Sequence, residues 1–239
     1  MTAPAEVVFL LDVDNTLLDN DQVQAELGSH LERAFGAAGR ERYWAIFEAL
    51  RTESGYADYL GALQRYRCVA PDGAMNDPNM LLVSSFLLDY PFADRLYPRA
   101  LDAVAHLRQW GPTVIVSDGD AVFQPRKVQR SGLWQAVEGR VLIYIHKEKM
   151  LEDLARHYPA RHYVMVDDKL SILTAMKKIL GARLTTVFPR QGHYALDPRQ
   201  LSAYPPADLA IKRIGDLLDC DLSALVRPVR AEPAQQETT

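Results

Sequence analysis

The chain has 239 residues, of which 48% are hydrophobic, and a formal net charge of -4 at pH 7. This length and apolar content exclude a disordered or fibrous protein and allow one large domain or one domain with an insertion. The slight negative charge, without a Lys/Arg block that forms one face, argues against a nucleic-acid surface. A small anionic substrate would need only a local positive pocket.

The N-terminal segment and the cysteine content indicate where the protein works. The apolar run over residues 7–11 is too short for a signal peptide or a membrane span, and Asp12 follows it at once. Cys68 and Cys220 are too few for a disulfide framework and are not spaced as metal ligands. We therefore expect a cytoplasmic protein that has neither a membrane nor a nucleic acid as partner.

The first predicted strand ends in two carboxylates. Residues 7–11 form a β-branched and aromatic run, typical of a strand buried on both faces, and Asp12 and Asp14 follow it. Open α/β sheets build their sites at the carboxyl ends of strands. Two carboxylates so close repel each other unless a cation lies between them or one holds a proton. The pattern therefore predicts a metal ion or acid/base chemistry here.

After Asp19 the apolar residues change to helical spacing and keep it to about Asp89. Four helices are predicted in this segment, along residues 27–35, 43–50, 56–66 and 80–88, with proline-containing breaks at 71–73 and 77–78. Its aromatic residues at helical spacing are expected mostly to pack between helices. Arg51, Arg65 and Arg67 are candidates for contact with a second anion, although surface arginines rarely have such a role.

From residue 98 onward, helices and strands alternate. The predicted strands are 113–117, 141–145, 162–166, 184–188 and 208–211, and the predicted helices are 100–110, 122–132, 148–157, 171–180 and 214–218. This repetition predicts an α/β fold with a Rossmann-like, doubly wound parallel sheet and an inserted helical cap. Residues 1–19 and 95–226 would form the α/β catalytic core, residues 20–94 the helical cap, and residues 227–239 a disordered tail.

Three further strands end in polar residues. These are Ser117-Asp118-Gly119 after the second strand, His146-Lys147-Glu148-Lys149 after the third and Asp167-Asp168 after the fourth. The glycine turn at Gly119 is expected to offer backbone N–H groups to an anion. Because parallel strands deliver such groups to one edge of a sheet, the set is typical of phosphoryl transfer.

The chemistry of a phosphate monoester explains why these residue types belong together. The ester carries about two negative charges near neutral pH, so an attacking carboxylate meets strong repulsion. Mg²⁺ prefers oxygen ligands and would neutralise the transferring group, with Asp12 and Asp168 as the expected ligands. A lysine and the hydroxyl of Ser117 would complete a fixed cradle for the phosphoryl oxygens. Asp12 can then act as the nucleophile.

Asp12-Val13-Asp14-Asn15-Thr16, Ser117, Lys147 and Asp167-Asp168 resemble the four motifs of the haloacid dehalogenase (HAD) superfamily of phosphohydrolases, in order and approximate spacing over residues 6–190. The resemblance implies that Asp12 forms an aspartyl-phosphate, while Asp14 protonates the leaving alcohol and later activates water. It also implies that the backbone carbonyl of Asp14 binds Mg²⁺. The helical insert resembles the cap of the subclass-one, phosphoglycolate-phosphatase-like members.

The same resemblance implies the remaining site residues. The expected phosphate-binding residues are Thr16, Ser117, Asp118 and Lys147, of which Thr16 braces the loop of the first motif. The expected metal ligands are Asp12, Asp14, Asp167 and Asp168. The sequence departs from the family pattern at Asp118, where asparagine is frequent, and lacks the usual prolines after Lys147. Lys149 therefore stays open as a phosphate contact, although Lys147 lies closer to the strand end. Asp167 would bind the metal directly or through water.

We expect a Mg²⁺-dependent phosphatase that acts on a small phosphorylated metabolite. A dehalogenase on the same scaffold is less favoured, because loss of a halide needs neither an acid at Asp14 nor a metal. A phosphomutase stays open, since it differs mainly in the acceptor that the cap admits. A non-catalytic phosphate-binding protein would not need Asp12 paired with Asp14. The sequence indicates neither the physiological substrate nor the oligomeric state.

Overall fold

One parallel sheet organises the residues that the computed structural model describes, which are 3–69 and 78–226. Its strands are β1 (Ala5–Leu11), β2 (Thr113–Asp118), β3 (Val141–Tyr144), β4 (Ala160–Val166), β5 (Leu184–Pro189) and β6 (Leu209–Ile211). Their order is β3-β2-β1-β4-β5-β6, and each neighbouring pair is parallel. The predicted Rossmann-like α/β fold is confirmed. The chain changes direction beside β1, where doubly wound sheets bind their ligands.

β1 lies at the centre of the sheet and is buried on both faces. Phe9 and Leu11 pack into a hydrophobic cluster on one side, and Val8 and Leu10 pack into a second cluster on the other. Successive side chains of a strand point to opposite faces, which explains why an unbroken apolar run suits this position. The rigid strand fixes the place of Asp12, the next residue of the chain.

Of the α-helices described between β1 and β2, we call the first three the helical insert: α1 (Asn20–Ser54), α2 (Tyr59–Val69) and α3 (Pro78–Asp89). The helices predicted along 27–35 and 43–50 belong to one element, which Gly36 interrupts with φ 75° and ψ 174°. Glycine adopts such a conformation without strain. The helix predicted from residue 56 begins only at Tyr59. The predicted breaks at 71–73 and at Asp77 lie outside the described residues.

Most aromatic residues of the helical insert pack between its helices, as expected. Tyr43, Phe47, Tyr59 and Tyr66 are buried, and the rings of Phe47 and Tyr59 lie 4.8 Å apart. The hydroxyl of Tyr43 donates to the carbonyl oxygen of Tyr59 at 2.8 Å, which ties α1 to α2. The helical insert therefore has an apolar interior of its own that is continuous with one face of the sheet.

The chain leaves and rejoins the sheet at one place. Leu18 and Leu96 form an antiparallel bridge, and the amide of Tyr97 donates to the carbonyl of Leu17 at 2.9 Å. The two connecting segments thus run side by side. This pairing lies at the boundaries predicted for the helical cap, and the division into two domains remains a prediction.

The other helices cover the two faces of the sheet. They are α4 (Ala100–Leu107), α5 (Phe123–Arg130), α6 (Leu133–Ala136), α7 (Leu151–His157), α8 (Leu170–Leu180), α9 (Gly192–Leu196), α10 (Pro198–Ala203) and α11 (Leu222–Val226), with 3₁₀ turns at Phe92–Arg95, Lys147–Lys149, Gly181–Arg183 and Ile214–Asp219. The predicted helix 214–218 is a 3₁₀ turn. In the described part of the chain, every helix is too short or too polar to cross a bilayer. The tail predicted at 227–239 lies outside the described residues.

Candidate active site

The carboxyl ends of β1, β2 and β4 bring the predicted polar residues together. Leu11 pairs in register with Ile115 on one side and with Val166 on the other. Asp12 and Asp167, which follow Leu11 and Val166, therefore lie at the same level of the sheet edge. Backbone hydrogen bonds fix both residues, since the amide of Asp12 donates to the carbonyl of Val166 at 3.0 Å.

Asp12 is buried and held by two donors. Its Oδ1 accepts hydrogen bonds from Nζ of Lys147 at 2.5 Å and from the hydroxyl of Ser117 at 3.3 Å. Lys147 Nζ also lies 2.7 Å from Oδ2 of Asp167. Lys149, by contrast, is exposed, so the structure brings Lys147 and not Lys149 to the nucleophile position.

The charge on Lys147 is stabilised by its surroundings. Burial by itself would lower the pKa of this lysine, but the carboxylates around it, first Asp12 and then Asp167, raise the pKa above its ordinary value. A fixed positive charge therefore lies beside Asp12 at neutral pH. It can offset both the carboxylate and an incoming anion.

Asp12, Asp167 and Asp168 form a buried acidic cluster, in which one carboxylate oxygen of each residue lies within 4.8 Å of the others. Asp167 has donors, because Oδ1 accepts from the amide of Lys169 at 2.8 Å and Oδ2 faces Lys147. Asp168 is only 1% exposed, and neither of its oxygens accepts a hydrogen bond from a described residue. Burial and then the charge of Asp167 raise the pKa of Asp168.

These features fit a hard divalent cation. Buried carboxylates without donors are unfavourable unless a cation lies among them, and Mg²⁺ takes carboxylate oxygens as ligands. The acidic cluster could therefore hold a metal ion, with Asp168 as the residue most open to it. The Asp14 carboxylate is engaged elsewhere, as described next, so any contribution of Asp14 to a metal would come from its backbone carbonyl.

Asp14 lies at the edge of the cleft, with its side chain 26% exposed. Nζ of Lys127 donates to Oδ1 of Asp14 at 2.7 Å and to Oδ2 at 2.9 Å, and Nε2 of Gln124 lies 3.4 Å from Oδ2. Lys127 and Gln124 are one turn apart on α5 and were not predicted as site residues. Lysine and glutamine in an amphipathic helix ordinarily face solvent, and only the packing of α5 reveals the contacts of these two residues.

Asn15 and Thr16 fix the loop that carries Asp14. Asn15 has a positive φ of 58°, and its Oδ1 accepts from the amides of Asn20 and Asp21 at the start of α1. Thr16 is fully buried, and its hydroxyl accepts from the amide of Asp168 at 3.1 Å. Thr16 therefore braces the loop after β1 against the loop after β4, while its membership of the phosphate-binding group remains a prediction.

The loop after β2 differs in part from expectation. Ser117 accepts from Nε2 of Gln124 at 3.0 Å while it donates to Asp12. The carboxylate of Asp118 accepts from the amide of Lys147 at 2.8 Å, and burial raises the pKa of Asp118 to about 6. The amide of Gly119 itself donates to the carbonyl of Tyr144 at 2.9 Å, so this N–H is not one that the turn offers to an anion. For the other N–H groups of the turn, the expectation stays a prediction.

A cleft of about 640 Å³ lies between this edge of the sheet and the helical insert. Residues from both sides line it, among them Asp14, Asp118, Asp168, Lys169, Phe47, Arg51, Tyr56, Tyr59, His193 and Tyr194. Arg51 donates to the hydroxyl of Tyr194 at 3.3 Å, whereas Arg65 pairs with Glu53 on the surface. Of the two arginines, Arg51 is therefore the one that reaches the cleft.

Residues 192–194, which are not among the predicted site residues, join the core to the helical insert. They begin α9. The amide of His193 donates to Asp21 at 2.8 Å, and Nδ1 of His193 lies 2.5 Å from the same carboxylate. Nζ of Lys169 lies over the ring of Tyr194, 4.8 Å from its centroid. These contacts close one side of the cleft.

The sheet and its acidic edge define a protein of the parallel α/β class, whose candidate site lies at the carboxyl ends of the strands. The family model of the haloacid dehalogenase-like hydrolases matches residues 7–179. The chain belongs to this family, as the motifs predicted. No curated protein matches the sequence.

Solved structures of the same family resemble the chain. A haloacid dehalogenase-like hydrolase from Burkholderia xenovorans LB400 is 66% identical, with 92% of this chain and 98% of that chain covered and a TM-score of 0.86. A HAD-hydrolase from Bacillus subtilis bound to magnesium is 17% identical, with 91% and 98% covered and a TM-score of 0.58. L-2-haloacid dehalogenase from Xanthobacter autotrophicus is 19% identical, with 89% and 96% covered and a TM-score of 0.54. The last two show the fold alone.

Proposed function

We propose that the protein is a Mg²⁺-dependent phosphatase that hydrolyses a small phosphorylated metabolite through an aspartyl-phosphate on Asp12. The observation that carries the proposal is the carboxylate of Asp14, which lies at the cleft two residues after Asp12 and is anchored by Lys127. A second carboxyl group at this place is what the departure of an alcohol requires. The cleft volume of about 640 Å³ suits a small metabolite.

The reaction proceeds in two steps. Asp12 attacks phosphorus and the bond to the leaving oxygen breaks, while Asp14 gives its proton to that oxygen and an alcohol departs. Water then attacks the phosphorus of the aspartyl-phosphate and passes a proton to Asp14, which releases phosphate and restores Asp12. Lys147 and Ser117 hold Asp12 throughout, and the ammonium of Lys147 offsets charge on the phosphoryl oxygens.

The metal would be held by Asp12 and Asp168, with Asp167 directly or through water. When bound, it supplies positive charge against the phosphoryl oxygens. The oxygens of the buried Asp168, which accept no hydrogen bond from a described residue, support this assignment. A cytoplasmic location also belongs to the proposal, supported by the free thiols of Cys68 and Cys220.

Two alternatives are weaker. Dehalogenases are among the structures of the same fold, but an attack on carbon that expels halide uses neither the proton of Asp14 nor a cation at Asp168. A phosphomutase would use the same residues and pass the phosphoryl group to a second hydroxyl instead of water. Analysis of the products formed from a sugar phosphate separates the phosphomutase from the phosphatase.

The test is release of p-nitrophenol from p-nitrophenyl phosphate by the full-length protein, with Mg²⁺ and with EDTA. Asp12→Asn should lower turnover by at least roughly 10³-fold, as removal of a nucleophile does. Asp102→Asn is the matched control, because Asp102 is exposed on α4 and the chemical change is the same. We expect the Asp102→Asn protein to keep full activity.

Three results would contradict the proposal. They are turnover that persists in Asp12→Asn, turnover that is equal in EDTA, and release of chloride from 2-chloropropionate at a rate that exceeds phosphate release. A non-catalytic binding protein would differ from the proposed phosphatase in another way, because its wild type would bind phosphate without any turnover.

A further inference from the structure

Lys127 lies outside the four motifs, yet its ammonium contacts the carboxylate of Asp14. Its side chain is fully buried on α5 and donates to both oxygens of Asp14, at 2.7 and 2.9 Å, and to Oδ1 of Asn20 at 3.0 Å. The three donors of the ammonium thus meet three acceptors. A buried ammonium is unfavourable unless it is paired in this way, so these contacts account for a lysine in the interior.

We propose that Lys127 is a positioning residue that holds the Asp14 carboxyl group in place for proton transfer. The inference rests on the proposed phosphatase reaction and adds to it a residue that no motif supplies. Asp14 needs such support because its side chain reaches the open cleft and is 26% exposed. Among the described residues, the other side chain that hydrogen-bonds Asp14 is Gln124, at the longer distance of 3.4 Å.

The third acceptor of Lys127 connects this position to the helical insert. Asn20 begins α1, and its Nδ2 lies 3.4 Å from the hydroxyl of Tyr59 on α2. Nε2 of Gln24 donates to the same hydroxyl at 2.8 Å. A displacement of α1 from the core therefore removes an acceptor from Lys127. Through Lys127 and Asn20, the position of the Asp14 carboxyl group therefore depends on the position of the helical insert.

Lys127→Met removes the ammonium and keeps an unbranched buried side chain. The nitrophenolate ion leaves p-nitrophenyl phosphate without a proton, so phosphorylation of Asp12 should be spared. Hydrolysis of the aspartyl-phosphate, which needs Asp14 as base, should become slow. We expect kcat to fall about 100-fold, the lower end of the range for general acid–base catalysis. We expect kcat/KM to stay within about threefold of the wild-type value, so that KM falls with kcat.

Rapid mixing gives a second readout. The variant should show a burst of one p-nitrophenol per protein molecule, followed by slow turnover, because the aspartyl-phosphate accumulates. Asn20→Ala should give the same pattern with a fall in kcat of about fivefold, the value of one hydrogen bond. Lys178→Met, at an exposed position of α8, is the control and should behave as wild type.

A purely structural role for Lys127 predicts something else, namely equal losses in kcat and kcat/KM without a burst. That result, or an unchanged kcat, overturns the inference. Circular dichroism shows whether each variant is folded. If Lys127→Met does not fold, Asn20→Ala becomes the test, and an unchanged kcat in Asn20→Ala also overturns the inference. A wild-type protein without Mg²⁺-dependent turnover would overturn the proposed function, and this inference with it.

Discussion

Replacing Asp168 by asparagine should make the metal-free protein more stable. Asp168 is 1% exposed, neither of its oxygens has a donor among the described residues, and Asp12 and Asp167 lie beside it. An amide of the same shape removes one of three clustered charges and offers a donor to the neighbouring carboxylates. Relief of an uncompensated buried charge is worth about 1–3 kcal/mol. For a chain of this length, the midpoint of thermal unfolding in EDTA should rise by roughly 2–12 °C.

Mg²⁺ should reduce or remove the stability advantage of the Asp168→Asn protein. A cation present at 100 times its dissociation constant stabilises the wild type by about 2.7 kcal/mol, and the variant should lose most of this gain because it lacks a ligand charge. Differential scanning calorimetry in EDTA and in Mg²⁺ measures both effects, with Asp102→Asn as the control for loss of an exposed carboxylate. The reasoning fails if Asp168→Asn is less stable than wild type in EDTA, or if Mg²⁺ stabilises the two proteins equally.

Two further predictions concern stability. Burial raises the pKa of Asp118 to about 6. Between about pH 4 and 6 this carboxyl group therefore binds more protons in the folded state than in the unfolded state. As the pH rises through this range, the metal-free protein should lose about 3 kcal/mol of stability because of Asp118. Asp118→Asn keeps an acceptor for Lys147, and urea unfolding in EDTA should show that this decline is smaller than in wild type; an unchanged decline would contradict the assignment. Gly192→Ala should cost about 2–4 kcal/mol, since φ is +70° and the new Cβ would lie 2.4 Å from that of Asn15. Gly132→Ala, at φ +83° in open space, should cost only about 1 kcal/mol, and equal losses in the two variants would refute the proposed clash.

The sequence was sufficient to predict the centre of the sheet and the residues at its edge. An apolar run buried on both faces belongs to an interior strand of a doubly wound sheet, so Asp12 was expected at the carboxyl end of such a strand. Asp167 and Asp168 follow a second run of the same kind. Asp12, Asp167 and Asp168 form one acidic cluster because β1 and β4 are neighbours in the sheet. The residues at the strand ends do not by themselves reveal this strand order.

The residues that hold Asp14 could not be predicted in the same way. Lys127 and Gln124 occur in a short polar helix in which neighbouring arginines and a second glutamine face partly outward. Helical spacing places Gln124 and Lys127 on the same face as the apolar Phe123 and Val128, but it does not say that the polar side chains of that face are buried as well. Similarly, the left-handed backbone of Gly192 and its contact with Asn15 arise from two segments far apart in the chain. Such contacts follow from tertiary packing, where local patterns carry no information.

The paired connections at Leu18 and Leu96 make the helical insert separable in principle from the sheet. Because the two chain crossings are hydrogen-bonded neighbours, a tight turn could join them and leave every strand of the sheet with its present partners. Recombination at this point would exchange one helical insert for another while Asp12, Ser117, Lys147 and Asp168 kept their places. Asn20 and Tyr59 would go with the exchanged piece, so each new helical insert would have to supply its own partner for Lys127.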